Sequence, residues 1–439
     1  MQQLNLGMVG GGTVGGGVFQ AVQRNGPLMA SRLGVDFRVM KMAVRDVNKK
    51  RSVRIPKKLL TTSWAEVVEN PDVNLVVELM GGTSIAREVV LRAFKLGKSV
   101  VTANKALLSA HGEELFLIAR RHGANLYYEA SVAGGIPIIK VLREGLIGNR
   151  ITRLYGIVNG TCNYILSRMK AEKAGFAEML ADAQRLGYAE AEPSLDVDGL
   201  DAMHKMGILA SLAHGFWVNP KQIYVQGIRS VTSLDIQFAG QLGYTIKLLG
   251  MVKKLEGTGK NGCAPVQVSV YPTLIPNAHV LANVNDVFNA VYVRGDVVGD
   301  TLYYGRGAGQ DATASAVLSD LADAALDLKF GTKSRIPPFV PHERDGAVLT
   351  IDKTISRYYV RLNVIDRPGT LAKIAVILAK ARIGISSVIQ PEGHEGESVP
   401  LILMIHDASN AAMNKALEKI SDLAVVKERP VLFRVENFD

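Results

Sequence analysis

Apolar runs that alternate with helical patterns fill the first third of the chain. Runs over residues 4–12, 36–44 and 73–81, and a further run from Ser99, predict strands, and a helix is expected over 84–96. Strands with apolar centres that alternate with helices are typical of a parallel sheet covered by helices on both faces. The pattern therefore predicts an α/β fold that begins with a doubly wound, Rossmann-type parallel sheet.

The pattern changes in the middle of the chain. Strand-like runs over 151–158, 267–271 and 289–293 predict an open mixed sheet in a second, α+β domain. A helix rich in small residues, over 311–327, is expected to return to the first domain.

A proline-rich segment separates the last part of the chain. Residues 331–346 carry three prolines within five positions and no periodicity, which is typical of a semi-rigid linker. From 357 to 429 the order is strand, helix, strand, strand, helix, strand, a ferredoxin-like βαββαβ module without an acid–base cluster. A regulatory or oligomerising role is expected for it. The predicted division is 1–130 with 307–330 returning to it, 131–306, a linker at 331–350, and 351–439.

Composition favours a soluble protein of the cytoplasm. The chain has 439 residues, 48% of them hydrophobic, but no apolar run long enough to span a bilayer and no signal-peptide pattern. Cys162 and Cys263 form neither a disulfide framework nor a metal-ligand spacing, which points to a reducing compartment. No membrane partner is expected.

The net charge of +10 is concentrated in part over residues 38–58, where nine basic residues face one acid, Asp46. No aromatic residues interleave with this cluster and it belongs to no nucleic-acid motif, so nucleic-acid binding is not expected. A solvated face or a phosphate-binding rim is the preferred interpretation.

Three glycines mark the junction between the first strand and the first helix. Gly10, Gly12 and Gly15 stand in the spacing Gly-x-Gly-x-x-Gly. The first two allow a tight turn and close approach of a pyrophosphate, the third lets the helix pack on the strand, and the helix N-terminus attracts the anion. We predict a dinucleotide site.

The end of the second strand bears on the choice of dinucleotide. An acid there usually holds the adenosine ribose hydroxyls, whereas this chain has Arg45 followed by Asp46. Because an arginine can accommodate a 2′-phosphate, NADP(H) is expected to bind, and Asp46 leaves NAD(H) open.

The stretch 183–205 concentrates acids beside one lysine. Asp198 is predicted as the N-cap of a buried helix, with Asp201 in its first turn and Lys205 one turn later on the same face. A buried ion pair is weak evidence for stability and better evidence for a site. The alternative is a capped helix with one ordinary (i, i+4) salt bridge.

Four further residues are candidates for chemistry or packing. Lys105 follows the fourth strand, at the edge where α/β sheets bind ligands, although a solvated lysine is the alternative. Glu129 precedes a glycine-rich turn whose carbonyls would suit a hard cation, although a plain turn is the preferred interpretation. Thr161 is either a helix cap or a ligand contact, and Cys162 lacks an activating histidine and is interpreted as packed.

Several motifs together resemble the homoserine dehydrogenase family. The pattern of the family's signature is matched in register by Ala183, Gly187, Tyr188, Ala189, Pro193, Asp196, Val197, Gly199, Asp201 and Lys205. The chain departs from it at Glu192, where Asp, Asn or Ser is usual before the proline. GGGTVG, VTANK, YEASVAGGIPII, GIVNGTCNYIL and YYGRGAG extend the likeness over 4–329, and the tail, with DRPGT at 366–370, is similar to ACT domains.

The resemblance implies an enzyme that interconverts L-aspartate 4-semialdehyde and L-homoserine with NAD(P)H, on the route to threonine and methionine. It makes Lys205 the acid–base group and has Lys105 bind and polarise the substrate. By the same resemblance, the amino acid is bound by Glu190, Asp201, Gly160 and Thr161. The cofactor contacts are Thr13, Val14, Lys105 and Gly305. Glu129 and the carbonyls of Val132, Gly134 and Ile136 form a site for sodium or potassium.

The resemblance also implies feedback by threonine through the ACT-like tail, dimerisation through the middle domain, and a homodimer or homotetramer. Two alternatives remain open from the sequence. One is a different NAD(P)-dependent semialdehyde or amino-acid dehydrogenase on the same fold. The other is a nucleotide-sensing regulator that binds an amino acid without turnover.

Overall fold

A computed structural model describes residues 2–255, 264–332, 334–343 and 346–438 of the chain. Cys263 lies outside these residues. Among the described helices, none is long and apolar enough to cross a membrane.

The first sheet confirms the doubly wound α/β prediction. Its elements in chain order are β1 (Gln2–Val9), α1 (Thr13–Leu33), β2 (Val35–Ala43), β3 (Leu60–Thr61), α2 (Ala65–Val68), β4 (Leu75–Glu78), α3 (Ser84–Lys95), β5 (Ser99–Thr102), α4 (Lys105–Arg121) and β6 (Leu126–Tyr127). In the described residues it has six parallel strands in the order β3-β2-β1-β4-β5-β6. The order reverses between β1 and β4, which is where such sheets bind ligands.

Apolar side chains explain why both faces of this sheet are covered. On one face, Phe19 of α1 lies in the same buried cluster as Leu6 of β1. On the other face, Phe94 of α3 and Leu115 of α4 pack with Val76 of β4. The near-continuous apolar strands thus become the middle layer of a three-layer unit.

The second sheet begins after a short connecting helix, α5 (Ile138–Lys140). Its further elements are β7 (Ile151–Ile157), α6 (Gly160–Glu172), α7 (Phe176–Arg185), α8 (Ser194–Val197), α9 (Leu200–His214), β8 (Tyr224–Val225), α10 (Ser233–Gln241), β9 (Tyr244–Lys254), β10 (Val266–Pro276), β11 (Phe288–Gly295), β12 (Gly299–Arg306) and α11 (Gln310–Phe330). Strands β12, β11, β7, β9 and β10 are neighbours in that order, and β8 pairs with β10. Helix α11 leaves this sheet and packs against α1.

The last part of the chain has the strand order of the ferredoxin-like module that the sequence predicts. Its elements are β13 (Ile355–Ile365), α12 (Thr370–Lys380), β14 (Ile385–Ile389), β15 (Ser398–Ser409), α13 (Asn410–Ser421) and β16 (Val431–Val435). The four strands are antiparallel in the order β16-β13-β15-β14.

This module shares its sheet with the middle of the chain. Strand β16 pairs in parallel with β10, with Thr273 opposite Arg434 and Leu274 opposite Val435. The middle of the chain and the module therefore share one mixed sheet, which has ten strands in the described residues. The division of the chain into the domains given above stays a prediction, because strands from both sides of the boundary before residue 351 belong to this one sheet.

Side chains reinforce the junction. Glu436, just after β16, forms an ion pair with Lys253 of β9. Phe438 stacks on His279 with ring centroids 3.6 Å apart. Arg361 of β13 donates to the buried Asp235 of α10 over 2.7 Å. The module is thus joined to the middle sheet through backbone, charge and aromatic contacts.

Candidate active site

One carboxylate joins the two lysines that the sequence analysis selects. Asp201 lies in the first turn of α9 and Lys205 one turn later, while Lys105 is the first residue of α4. The Nζ of Lys105 lies 2.8 Å from Oδ1 of Asp201, and the Nζ of Lys205 lies 2.7 Å from Oδ2. Lys205 also donates to the carbonyl of Val158 over 2.6 Å. The structure therefore brings the three residues into one cluster.

The cluster is electrostatically asymmetric. Asp201 and Lys205 are 8% and 7% exposed, whereas the side chain of Lys105 is 40% exposed. Burial lowers the pKa of Lys205, although the Asp201 carboxylate opposes this. Burial also disfavours the charged form of Lys105, but Asp201 outweighs it and the pKa of Lys105 is raised.

Asp201 stays ionised between the two lysines. Burial opposes its ionisation, but the ammonium groups of Lys205 and Lys105 outweigh burial and hold the pKa of Asp201 well below its usual range. One buried carboxylate thus neutralises part of two ammonium charges, and the lysine with the lowered pKa is the better proton donor of the two.

Asn159 connects the cluster to the start of α6. Its side-chain oxygen caps that helix by accepting from the N–H of Cys162, and its Nδ2 donates to Asp201 over 2.9 Å and to Asp196 over 2.7 Å. From the sequence, Asn159 is expected only in the turn before the helix, and Thr161 is either the cap or a ligand contact. The motif Asn-Gly before a helix was the available signal.

The predicted cap at Asp198 is wrong. Gly199 takes the cap position of α9 with φ +84°, and no side chain caps the helix there. Asp198 instead accepts from Nε of Arg229 over 2.5 Å, and both side chains are exposed. A left-handed residue between Asp198 and the helix turns the carboxylate away from the first-turn N–H groups.

The remaining substrate candidates lie around this cluster. Thr161 donates to the carbonyl of Tyr188 over 2.6 Å, and Gly160 is the first residue of α6. A Cβ on Gly160 would lie 2.8 Å from the carbonyl of Val287, so only glycine fits there. Glu190 is exposed, and its charge contributes to the raised pKa of Lys105.

A second buried carboxylate lies behind Lys105. Glu78, at the end of β4, accepts from Thr102 over 2.6 Å and from the N–H of Met80 over 2.9 Å. Thr102 accepts in turn from the N–H of Asn104, which caps α4. Burial raises the pKa of Glu78 to about 7. The sequence analysis gave this residue no role, although it ends a strand at the ligand-binding edge.

The glycine turn after β1 has the geometry expected for a dinucleotide site. Gly10 has φ +109°, and a Cβ on Gly15 would lie 2.0 Å from the carbonyl oxygen of Gly10. Gly12 precedes α1 with open space around it. Thr13 and Val14 form the first turn of α1, whose N–H groups suit a pyrophosphate.

Two arginines lie beyond this turn. Arg45 follows β2 and is exposed. Arg51, which the sequence analysis did not single out, donates to the carbonyls of Asp46 and Lys49. Its Nε lies 3.6 Å from the place of a Cβ on Gly11. A basic rim thus adjoins the turn.

The glycine-rich stretch at the end of β12 leads toward α1. Gly305 pairs with Asn289 of β11. A Cβ on Gly17 of α1 would lie 2.5 Å from Gln310, the first residue of α11. The stretch therefore runs from the mixed sheet to α11, whose first residue contacts α1.

In the candidate cation loop, residues 129–136, some oxygen atoms already accept hydrogen bonds and others do not. Glu129 is buried, and its two oxygens accept from the N–H groups of Ile139 and Lys140. Burial raises its pKa to about 7. The N–H of Ile138 donates to the carbonyl of Ile136, while the carbonyls of Val132 and Gly134 accept no hydrogen bond from the described residues. Carbonyl oxygens without a donor are the type of oxygen that hard cations take as ligands.

The described residues contain no group of three or more His, Cys, Asp or Glu side chains arranged to hold a metal ion.

Comparison with known proteins identifies the family. The model of the homoserine dehydrogenase NAD-binding domain matches residues 10–129, and the homoserine dehydrogenase model matches residues 137–322. Homoserine dehydrogenase of Pseudomonas aeruginosa is 43% identical over 443 residues, which cover 100% of both chains.

Solved structures agree. A homoserine dehydrogenase from Thiobacillus denitrificans aligns with a TM-score of 0.93 and 42% identity over 100% of this chain and 99% of that one. A hyperthermophilic archaeal homoserine dehydrogenase in complex with NADPH aligns with a TM-score of 0.62 and 27% identity, over 74% of this chain and 98% of that one. The chain therefore belongs to the homoserine dehydrogenase family, whose NAD-binding domain it carries, and is an NAD(P)-dependent oxidoreductase that acts on a CH–OH group.

Proposed function

We propose that the protein catalyses the reversible NAD(P)H-dependent reduction of L-aspartate 4-semialdehyde to L-homoserine, a step toward threonine and methionine. The observation that supports this proposal is the cluster in which Asp201 bridges Lys105 and Lys205. It lies beside the carboxyl edge of the first sheet, where Lys105 begins α4 after β5.

Bound NAD(P)H supplies the hydride that reaches the aldehyde carbon. As the carbonyl double bond becomes a single bond, negative charge develops on the oxygen, and a preorganised ammonium stabilises it. Lys205 donates the proton that completes the hydroxyl group, because burial lowers its pKa and Asp201 and Val158 fix its Nζ. Lys105 retains its charge and binds the substrate.

The acid–base role of Lys205 is tested by Lys205→Ala in an assay of NADPH oxidation with L-aspartate 4-semialdehyde. Turnover is expected to fall by about 10³-fold, because general acid–base catalysis contributes 10²–10⁴-fold. NADPH affinity, measured by fluorescence titration, is expected to be unchanged. The exposed lysine variant Lys221→Ala serves as control. Turnover of Lys205→Ala near that of the wild type would contradict the role.

A thiol-dependent route, as in dehydrogenases that oxidise aldehydes through a thiohemiacetal, has no support. Cys162 is fully buried and donates to the carbonyl of Asp196. Burial raises its pKa well above the usual range, so little reactive thiolate forms. Cys162→Ser is expected to remain active.

We further propose that NADP(H) binds with its 2′-phosphate against Arg45, with Arg51 as a second basic contact. The position of Arg51 beside Gly11 supports this. Arg45→Ala is expected to raise the Michaelis constant for NADPH about tenfold, because one charge-assisted hydrogen bond is lost. The constant for NADH should stay the same. An unchanged NADPH constant would count against the assignment.

The cation proposal rests on Glu129 and the carbonyls of Val132, Gly134 and Ile136. Sodium and potassium are the candidates. Titration of each chloride salt against protein stripped of monovalent cations, read by thermal unfolding, is expected to show saturable stabilisation by one of them. Stabilisation that follows ionic strength equally for both salts and for tetramethylammonium chloride would exclude a specific site.

We also propose that the ferredoxin-like module is an ACT domain that binds threonine and lowers activity. A cavity of about 380 Å³ lies at the turn 366–370, with Gln390 and Glu395 on its other side. L-Threonine should inhibit the wild type, and Gln390→Ala should weaken this inhibition, whereas Lys415→Ala on α13 should not. Equal inhibition of all three proteins would overturn the proposal. The proposed assembly is a homodimer or a homotetramer, and the molar mass measured by light scattering distinguishes the two.

A further inference from the structure

Lys247 is a buried lysine with no part in the proposed chemistry. It lies on β9 and is 1% exposed. Its Nζ donates to the carbonyl of Val284 over 2.5 Å, and to the side-chain oxygens of Asn163 and Asn285 over 3.1 Å each. All three acceptors are neutral, and no carboxylate of the described residues forms an ion pair with it.

A buried ammonium without a carboxylate partner is costly. Burial, with a smaller contribution from Lys170, lowers the pKa of Lys247 to about 7, whereas Asp286 opposes the shift. Such a group contributes little net stability and is better explained by the position that it imposes on its partners.

The partners of Lys247 hold one loop against one helix. Two of the three acceptors, on Val284 and Asn285, belong to the loop 284–288, whose last residue begins β11. The third belongs to Asn163 of α6, whose Nδ2 donates back to the carbonyls of Asp286 over 3.0 Å and Phe288 over 3.1 Å. Lys247 and Asn163 together therefore fasten both ends of the loop to α6.

The loop is strained at its centre. Asp286 has φ +55°, a conformation that costs about 1 kcal/mol or more for a residue other than glycine. Its N–H donates to Oγ of Ser167, also on α6. The strained conformation persists because α6 and Lys247 fix the residues on both sides of Asp286.

The fastened loop touches the start of α6. The carbonyl of Val287 lies against Gly160, where a Cβ would approach it to 2.8 Å. Gly160 and Thr161 are the proposed contacts of the amino acid, and Asn159 before them donates to Asp201. The position of the loop thus sets the position of the helix end that faces the substrate.

We propose that Lys247 is a positioning residue that sets affinity for the amino-acid portion of the substrate by fastening the loop 284–288 against the start of α6. The inference rests on the proposed function for the identity of the substrate. Because the proposed contacts of Gly160 and Thr161 are with the amino-acid portion and not with the reacting aldehyde, their loss weakens binding of the ground state and the transition state alike. A substitution of Lys247 is therefore expected to raise KM and to leave kcat unchanged.

The test compares Lys247→Met with Lys170→Met. Lys170 lies on α6, donates to Thr245 of β9 and is exposed, so it serves as a matched control. In Lys247→Met the KM for L-aspartate 4-semialdehyde should rise about tenfold, equivalent to about 1.4 kcal/mol of binding free energy, with kcat within threefold. Lys170→Met should change neither.

Two measurements separate positioning from general damage. NADPH affinity, measured by fluorescence titration, should be the same in Lys247→Met and wild type, whereas the Kd for L-homoserine, measured by calorimetry without turnover, should rise with KM. Asn163→Ala should raise KM similarly. The KM of the double variant should be no higher than that of the more impaired single variant, because both residues hold the same loop.

An unchanged KM in Lys247→Met would overturn the inference, as would equal losses of NADPH and L-homoserine affinity. An additive double variant would overturn it as well. A wild-type protein without activity on L-aspartate 4-semialdehyde would instead overturn the proposed function. If Lys247→Met does not fold, Asn163→Ala and Lys247→Arg carry the same comparison, with the arginine variant expected to recover part of the affinity.

Discussion

Asp201 holds two ammonium groups that would otherwise repel each other. Each of its oxygens accepts from one lysine, and Asn159 adds a third donor. A single carboxylate therefore determines where Lys105 and Lys205 lie and how their proton affinities differ.

Replacing that carboxylate should disable the cluster. We expect Asp201→Asn to lower kcat/KM by about 10²–10³-fold, because two ammonium groups lose their common partner at a buried position. Steady-state kinetics of the wild type and the variant measure this effect. The control is Asp198→Asn, which alters only the exposed pair with Arg229. A loss that is equal in both variants would mean that Asp201 has no special role.

Glu78 should make stability depend on pH. Its pKa is raised from 4.5 to about 7 on folding, so the folded protein holds a proton that the unfolded chain releases. This contribution is complete below pH 4.5 and is lost as pH rises to 7, by about 3 kcal/mol. Glu78→Gln should reduce the fall in the free energy of unfolding between pH 5 and pH 8, measured with denaturant. The exposed Glu66→Gln should leave it unchanged; a fall of the same size in both variants would contradict this account.

For single residues, the spacing along the sequence predicts side-chain contacts only within one helix. Asp201 and Lys205 lie four residues apart in an apolar stretch, so the sequence predicts their ion pair, which the structure confirms. The roles of Asn159 and Glu78 depend on partners 42 and 24 residues away. Asp198 is a wrong prediction as a helix cap, and its partner, Arg229, lies 31 residues away in the sequence.

Among the elements, the junction of β1 and α1 is under a tight steric constraint. The helix approaches the preceding turn so closely that only glycine fits at Gly15, whereas the middle of the same helix leaves open space beside Gly26. The two glycines therefore serve different purposes within one element.

Alanine substitutions should separate these two glycines. Gly15→Ala is expected to cost about 1–3 kcal/mol of stability and to weaken NADPH binding, because its Cβ would lie 2.0 Å from the Gly10 oxygen. Gly26→Ala, with no atom within 4 Å of the new Cβ apart from its chain neighbours, should change stability by less than about 0.5 kcal/mol, because the ring of Pro27 offsets the gain in helix propensity. Thermal unfolding and fluorescence titration measure both effects. Equal behaviour of the two variants would refute the steric argument.

Periodicity located the elements better than their ends. The predicted strand over 73–81 is Leu75–Glu78, and the predicted strand over 151–158 is Ile151–Ile157. Apolar residues continue beyond the paired segment because Val73 is buried and Leu79 and Met80 are half-buried. The glycine spacing, by contrast, predicted the junction with α1 directly, since its steric demand is local.

In the whole molecule, the mixed sheet carries the connection between the middle of the chain and the ferredoxin-like module. The sequence predicts the order of elements in the module but not its pairing with β10. The pairing joins Thr273 to Arg434, and no local pattern encodes a contact over such a separation. Hydrophobic strands indicate only that partners exist.

The junction should contribute to global stability. Phe438 is 6% exposed, stacks on His279 and packs against Tyr155 with centroids 4.7 Å apart. We expect Phe438→Ala to cost about 3 kcal/mol, as is typical for a buried aromatic side chain, and to lower one common unfolding transition. Phe330→Ala, at a residue 66% exposed, should cost less than about 0.5 kcal/mol. Two separate transitions in Phe438→Ala would show that the module unfolds independently.

The position of β16 also constrains the order in which the protein can assemble. This strand lies between β10 and β13, although more than 150 residues separate Thr273 from its partner Arg434 in the sequence. During synthesis on the ribosome, β10 emerges long before the strand that covers this edge, and an open strand edge invites pairing with other chains. The exposed interval lasts until the module has been made and its last strand inserts, so slow or interrupted translation between β10 and β16 should favour aggregation.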